Sequence, residues 1–350
     1  MKVAFFVYPS AFQSPGGGEI LLLKTKEALE KKGITIRLFN QWEDKLKDFD
    51  ILHVFGSFRD CVWLMRTARS LGVKIVLSPI FWSTLQRTFF EYGSFYKRTQ
   101  MVLKHMAKVA LPFLPSERRN MFLLADTIVP NSHAEAEQVS RLFCIKKNKM
   151  HVVYLAADEK FMGSDGSEFI RKYKVKDFIL SVGRIEPRKN QLNLIRALKS
   201  SGRRLVFIGD VVPHYEEYYR QCKREADKET LFISRMEHDD ILLSSAYAAC
   251  GVFVLQSWFE TPGLAALEAA LSGARLAITS GGSTREYFKD YVEYLNPASL
   301  DSIRGAVDCA LQREKTNVLK QHMMNNYLWP HSADENIRVY EKLLQKRVVS

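Results

Sequence analysis

Two carboxylates, Glu260 and Glu268, stand eight residues apart in the run GVFVLQSWFETPGLAALEAALSG, from Gly251 to Gly273. Between them Thr261, Pro262 and Gly263 close a loop, and the alanine-rich stretch after Leu264 is a strong helix former. Proline is at home in the first turn of a helix, and glycine lets another group approach the backbone closely. The free N–H groups of Gly263 and Leu264, with the positive end of the helix dipole, favour a phosphate at that point. Glu268 lies roughly 7.5 Å further along the axis, at about 1.5 Å per residue, which is the reach from a diphosphate to the ribose of a nucleotide. Glu260 sits on the other side, where a sugar would be.

A second cluster follows the same logic. In SVGRIEPRKNQLNLIRAL, Arg184 falls just past a strand and Lys189 stands five residues on, before a helix. A diphosphate leaving group needs positive charge as its bond to the sugar breaks, and a guanidinium with an ammonium supplies it without a metal. Arg188, next to Lys189, reads as a decoy of the same charge. Nearer the amino end, Gly16, Gly17 and Gly18 sit at a strand-to-helix turn, although GGG lacks the GxGxxG spacing of a dinucleotide fingerprint.

The elements that must position these groups alternate between apolar β-rich runs and helical patterns, which is how a parallel sheet covered by helices is written. With 350 residues, 47% hydrophobic and 26% charged, the chain can bury more than one core. In the first half, strands are expected at Val3–Tyr8, Ile34–Phe39, Ile51–Phe55, Lys74–Ser78, Thr127–Pro130 and Val152–Leu155. Residues 156–176 read as a linker. The second half restarts at Phe178–Val182, with strands at Leu205–Ile208, Leu231–Ser234, Val252–Gln256, Arg275–Thr279 and Val292–Leu295. Trp329-Pro330 is expected to break the preceding helix, and Ser332 to cap a last one with an apolar stripe of Ile337, Tyr340, Leu343 and Leu344.

The run ETPGLAALEA resembles the Glu-x7-Glu motif of retaining glycosyltransferases of the fourth family, and the spacing from Arg184 to Lys189 is similar to their second anchor. The resemblance is strongest from about Phe178 to Phe288. It implies the GT-B architecture: two Rossmann-like, doubly wound parallel-sheet domains facing a central cleft, with the C-terminal helix crossing back to the first. The domains would be residues 1–160 for the acceptor, 175–330 for the nucleotide sugar, and 331–350 for the returning helix. It further implies that Glu268 holds the ribose, that Glu260 approaches the donor sugar, and that the backbone of Thr261, Pro262, Gly263 and Leu264 holds sugar and phosphate. Arg184 and Lys189 would stabilise the leaving diphosphate. Gly17 and Gly18 would fold over the donor phosphates and acceptor, with Glu19 following. Gly209 would turn after its strand, Arg235 and Met236 would lie against the base, and GGSTREYF at 281–288 is a further family-like piece.

The activity implied is hexosyl transfer with retention, from a nucleotide-diphosphate sugar to a glycan or lipid-linked saccharide in cell-surface polysaccharide or glycolipid assembly. No cofactor beyond the donor substrate is implied. Many relatives carry a histidine just after the strand corresponding to Lys74–Ser78, where this chain reads SPIFWS from Ser78 to Ser83. That departure keeps open a catalytically silent nucleotide-sugar-binding subunit, and a sugar-nucleotide epimerase of the same fold is the nearest enzyme alternative.

Metal is not expected. Asp48-Phe49-Asp50 enters a strand from its amino end and reads as a turn, and His53, His105, His133, His214 and His238 make no paired ligand spacing and read as surface or polar-core residues. Five scattered cysteines without CxxC spacing fit reduced thiols, and no apolar run approaches the roughly 20 residues of a membrane span, so a cytoplasmic place is expected. The net charge of +12 is uneven: residues 1–155 hold 23 basic against 13 acidic side chains, and 156–350 hold 28 against 26. No nucleic-acid-reading motif accompanies the bias. From Arg87 to Arg119, however, Arg87, Lys97, Arg98, Lys104, Lys108, Arg118 and Arg119 face only Glu91 and Glu117, among Phe95, Tyr96, Leu103, Met106, Phe113 and Leu114. Such a basic amphipathic stretch suits the anionic inner face of a membrane.

Overall fold

The computed structural model describes residues 1–13, 16–83 and 95–345, and the chain divides into two compact units. The first comprises residues 1–155 together with the chain from Trp329 onward, and the second runs from Ala156 to Leu328.

The first unit begins β1 (Lys2–Phe6), α1 (Gly17–Lys31), β2 (Thr35–Leu38), β3 (Ile51–Phe55), α2 (Val62–Ser70) and β4 (Lys74–Ser78). It continues α3 (Phe95–Ala110), α4 (Glu117–Leu124), β5 (Thr127–Ile128) and α5 (His133–Phe143). Among the described residues its sheet has the order β2-β1-β3-β4-β5, parallel throughout. Alternation along the strands divides the core. Ala4, Phe6, Leu52, Val54, Ile75 and Leu77 pack under α2, α4 and α5, against Met65, Phe122, Val139 and Phe143. Phe5, His53 and Phe55 point the other way, with the Phe5 and Phe55 rings 4.8 Å apart.

The expected strand Val152–Leu155 is not part of the sheet. Val153 N–H donates to the Pro130 carbonyl at 3.0 Å, but Pro130 has no N–H to return, so no ladder extends past β5.

The second unit opens with a 3₁₀ turn (Glu159–Met162) and α6 (Ser167–Tyr173), so the expected linker is folded. Phe161 and Phe169 are fully buried and anchor this stretch to the body that follows. Next come β6 (Ile179–Val182), α7 (Gln191–Leu198), β7 (Leu205–Ile208), α8 (Glu216–Glu225), β8 (Leu231–Ile233) and α9 (Ile241–Ala249). The unit closes with β9 (Val252–Leu255), α10 (Leu264–Leu271), β10 (Leu276–Thr279), α11 (Thr284–Phe288), β11 (Glu293–Leu295), α12 (Leu300–Gln312) and α13 (Val318–Asn326). Its parallel sheet runs β11-β10-β9-β6-β7-β8. The order reverses between β6 and β9, and the crevice outside the carboxyl ends of two such strands is where doubly wound sheets take ligands.

The last helix, α14 (Trp329–Gln345), belongs to the first unit. The preceding helix ends at Asn326, before Trp329-Pro330, and Pro330 is the second residue of α14, where the first helical turn needs no N–H from it; Ser332 lies inside the helix rather than capping it. Its buried face is Ala333, Asn336, Val339, Tyr340 and Leu343, with Ile337 and Leu344 at the margin. The Tyr340 hydroxyl lies 2.6 Å from His53 Nδ1, and Lys32 pairs with Asp334 at 2.6 Å.

Candidate functional site

The loops leaving β6 and β9 meet at the reversal point. Residues 187–189 after β6 form a single 3₁₀ turn opened by Pro187. That turn places Lys189 Nζ 2.5 Å from Glu260 Oε1, on the loop after β9. Asn190 locks the two loops by donating to the carbonyls of Gln256 and Pro297. From the other side Glu260 N–H donates to the Gly281 carbonyl and Ser283 N–H donates to the Glu260 carbonyl. Gly282 makes this close approach possible: its φ is +100°, and a Cβ there would stand 1.8 Å from the Glu260 carbonyl oxygen.

Glu260 is 7% exposed. Burial alone would raise its carboxyl, but the charges of Lys189 and Arg188 outweigh that and hold it below the ordinary range. Burial likewise pulls the Lys189 ammonium down, with Glu260 pulling the other way. Arg188, expected as a decoy, is instead part of the cluster. Its Nη1 is 3.6 Å from Glu260, its Nη2 is 3.1 Å from Glu186, and its guanidinium lies over the Phe259 ring. Arg184 reaches Glu186 at 3.5 Å and is the more exposed of the two arginines. Glu186, a buried carboxylate between two guanidiniums, was not singled out from sequence; its only signal was its place inside the Arg184–Lys189 spacing.

On the far side of the loop, Gly263 is the residue before α10 and has φ +96°, where a Cβ would press within 2.9 Å of Leu255. Thr261 and Pro262 precede it with a cis peptide bond between them. Glu268 lies on α10 and is 5% exposed. Both of its oxygens are engaged: the Tyr247 hydroxyl donates to Oε2 at 2.8 Å, and His238 Nε2 stands 3.1 Å from Oε1. His238 is therefore a partner of the site, not an unrelated polar residue. Its signal was absent because Glu268 is 30 residues away in sequence.

The remaining expected residues fall in three places. Gly209 follows β7 with φ +152° and donates its N–H to the Ile233 carbonyl. Arg235 follows β8, exposed, with its N–H on Asp210 Oδ1 at 3.0 Å and its guanidinium beside Glu237; Met236 is half-buried next to it. Gly17 and Gly18 belong to the first unit, where they open α1. Glu19 accepts from Gly16 N–H at 2.7 Å and from the Tyr8 hydroxyl at 3.1 Å, closing the turn over the end of β1, while Ser14 and Pro15 lie outside the described residues.

The SPIFWS loop, also in the first unit, is held from α5. Glu135 accepts from Phe81 N–H at 2.5 Å and from Asn131 N–H at 2.7 Å, and Gln138 accepts from Ser83 N–H. Burial pushes the Glu135 carboxyl up to about 7, with the two backbone donors pulling it back. Although the loop carries no histidine of its own, His105 from α3 brings Nδ1 to 3.1 Å from Ser83 Oγ.

The fold is of the GT-B class. Residues 166–327 match the family described as glycosyl transferases group 1. An uncharacterized glycosyltransferase of Methanocaldococcus jannaschii is 28% identical over 61% of this chain, which spans 59% of that relative's length. Among solved structures, a sucrose-phosphate synthase from Thermosynechococcus elongatus superposes with a TM-score of 0.77 at 14% identity, covering 99% of this chain and 100% of that one. Anabaena Alr3699/HepE, solved in complex with UDP and glucose, gives 0.73 at 16% identity, covering 98% and 99%. At these identities the two structures speak to the fold.

Proposed function

We propose that the protein is a retaining, metal-independent glycosyltransferase of hexosyl type, moving a sugar from a nucleotide-diphosphate sugar to a glycan or lipid-linked saccharide in cell-surface polysaccharide or glycolipid assembly. The observation that carries this reading is the reversal point of the second sheet, where Lys189 and Arg188 lie beside Glu260, Arg184 reaches the adjoining Glu186, and the Glu260 carboxylate stands close to Gly263 at the amino end of α10, with Glu268 further along that helix. The diphosphate sits at the helix end and the cations, the ribose reaches Glu268, and the sugar lies toward Glu260. As the bond from the anomeric carbon to the phosphate oxygen breaks, charge grows on that oxygen, and fixed cations favour the broken state over the intact one. The acceptor oxygen attacks the same face of the sugar, and the departing phosphate takes its proton. Lys189 is held by its ion pair rather than left to wander, so little reorganisation is needed at that moment.

The acceptor side is proposed to meet an anionic membrane through the stretch from α3 to α4. Tyr96, Leu103, Met106, Phe113 and Leu114 are 76%, 61%, 56%, 58% and 48% exposed. Lys104 is exposed beside them, whereas Arg87 and Glu91, and the side chains of Phe95, Lys97, Arg98 and Lys108, lie outside the described residues. Two of the expected cations are used internally: Arg118 donates to the Ser57 carbonyl and lies over Phe81, and Arg119 donates to the Phe143 carbonyl. The apolar side chains therefore carry more of this contact than the cation count suggests. Among the described residues no helix is long and apolar enough to cross a membrane, so the contact would lie on the surface.

The test is transfer from UDP-, GDP- and ADP-sugars to an extracted lipid-linked saccharide fraction, in EDTA, with the anomeric configuration of the product read by NMR. Transfer with retention is expected. Inversion, or activity restored only by a divalent cation, would contradict the reading.

A further inference from the structure

We infer that Tyr247 and His238 are positioning residues that fix the Glu268 carboxylate for a ribose diol, and that Lys160 sets the tautomer of His238. The inference rests on the nucleotide reading above and goes beyond it to residues that reading does not assign.

A carboxylate has about four lone-pair sites, two on each oxygen. Tyr247 uses one on Oε2 and His238 one on Oε1, which leaves each oxygen one site for another donor. Two vicinal hydroxyls are the ligand that matches two remaining acceptors on adjacent oxygens. The donors come from different elements, Tyr247 from α9 and His238 from the loop after β8, so the carboxylate plane is fixed from two directions.

His238 can donate to Glu268 only if its proton is on Nε2. The other ring nitrogen, Nδ1, lies 2.9 Å from Lys160 Nζ. An ammonium has three donors and no acceptor, so Nδ1 must accept, and the neutral ring then carries its proton on the Glu268 side. Lys160 is in turn paired with Asp239, itself 3.6 Å from Nδ1. The chain of contacts is thus Asp239 to Lys160 to His238 to Glu268, with Tyr247 closing the far side. Phe161 supports it sterically: its fully buried ring meets His238 edge-on at 5.4 Å and Tyr247 edge-on at 5.7 Å. Lys160 and Phe161 belong to the 3₁₀ turn that opens the second unit. The stretch that reads as a linker thereby contributes two residues to the support of a binding carboxylate.

The experiment compares the affinities of UDP, GDP and ADP with those of their 2′,3′-dideoxy counterparts, for the full-length protein and the variants Tyr247→Phe, His238→Leu and His238→Gln. The wild type should prefer the ribo form. Tyr247→Phe and His238→Leu should each reduce that preference about tenfold while leaving the dideoxy affinity in place, a coupling within the range found for contacting residues. His238→Gln, whose amide can still donate to Glu268, should restore part of it. A general loss of packing would weaken both forms alike, so equal losses would overturn the inference, as would an undiminished preference in all three variants. A wild type that binds none of the three diphosphates, or shows no preference for the ribo form, would contradict the nucleotide reading itself.

Discussion

Lys189 and Glu260 show how a site is made from two charges that would each be costly alone. Removing one partner of a buried pair leaves the other uncompensated, so Lys189→Met should destabilise the second unit by on the order of 3 kcal/mol in urea unfolding, besides lowering turnover. Glu260 titrates below its ordinary value when folded, so its stabilising share is present above 4.5 and is lost as pH falls through the lowered value. Gly282 is the steric counterpart: Gly282→Ala would drive a methyl into the Glu260 carbonyl, and it should cost several kcal/mol of stability and most of the activity. An activity assay with a melting curve on the same sample checks both effects. The two glutamates were legible by their spacing within one segment, and Lys189 by its spacing from Arg184 within another. Arg188 was not, since nothing in sequence tells which of two adjacent cations turns toward a carboxylate 72 residues on. His238 and Tyr247 were hidden for the same reason.

At the level of elements, strands could be read to within a residue or two because parallel strands covered on both faces are written as short apolar runs. What escaped were segments whose state depends on a partner elsewhere in the chain: the run Val152–Leu155, which Pro130 denies a ladder, and α6, where Phe169 donates its N–H to Ser245 Oγ, 76 residues on. The end of the chain shows the same dependence. Because α14 begins at Trp329 and buries Ala333, Val339, Tyr340 and Leu343, truncation after Leu328 should leave the first unit insoluble, whereas a soluble product that has lost only the helix signal of α14 itself would contradict this assignment. His53, held between Tyr340 and Ser78, makes the same contact pH-sensitive. Burial lowers it from 6.5 to about 3, so between those values the unfolded chain binds a proton that the folded one does not. Stability from this group falls as pH falls across that window, by up to about 1.4 kcal/mol per pH unit. Glu135 acts oppositely, raised from 4.5 to about 7, so its share falls as pH rises between those values. Below 4.5 only the histidine effect remains of the two, and His53→Gln should flatten the urea midpoint against pH there relative to the wild type.

For the whole molecule, the two units have separate cores and separate sheets, and all the cations and carboxylates of the proposed donor site belong to the second. The fragment Ala156–Leu328 should therefore fold by itself and keep nucleotide affinity within about threefold of the full chain, roughly 0.6 kcal/mol. The apolar pattern pointed to two doubly wound sheets but not to their strand orders, because any order of buried parallel strands is written with the same runs. The reversal between β6 and β9, which gathers the site, appears only once the strands are paired. The central claim is that this reversal point holds a nucleoside diphosphate by fixed protein charges, with Glu268 on its ribose. It is tested most directly by calorimetric titration of UDP, GDP and ADP, in EDTA, into the wild type and Glu268→Ala. One nucleotide should bind the wild type, and the variant should bind it roughly ten- to a hundredfold more weakly, the worth of charge-assisted hydrogen bonds at about 1.5–3 kcal/mol. Equal affinity in the two proteins, or binding that appears only when a divalent cation is restored, would contradict the account.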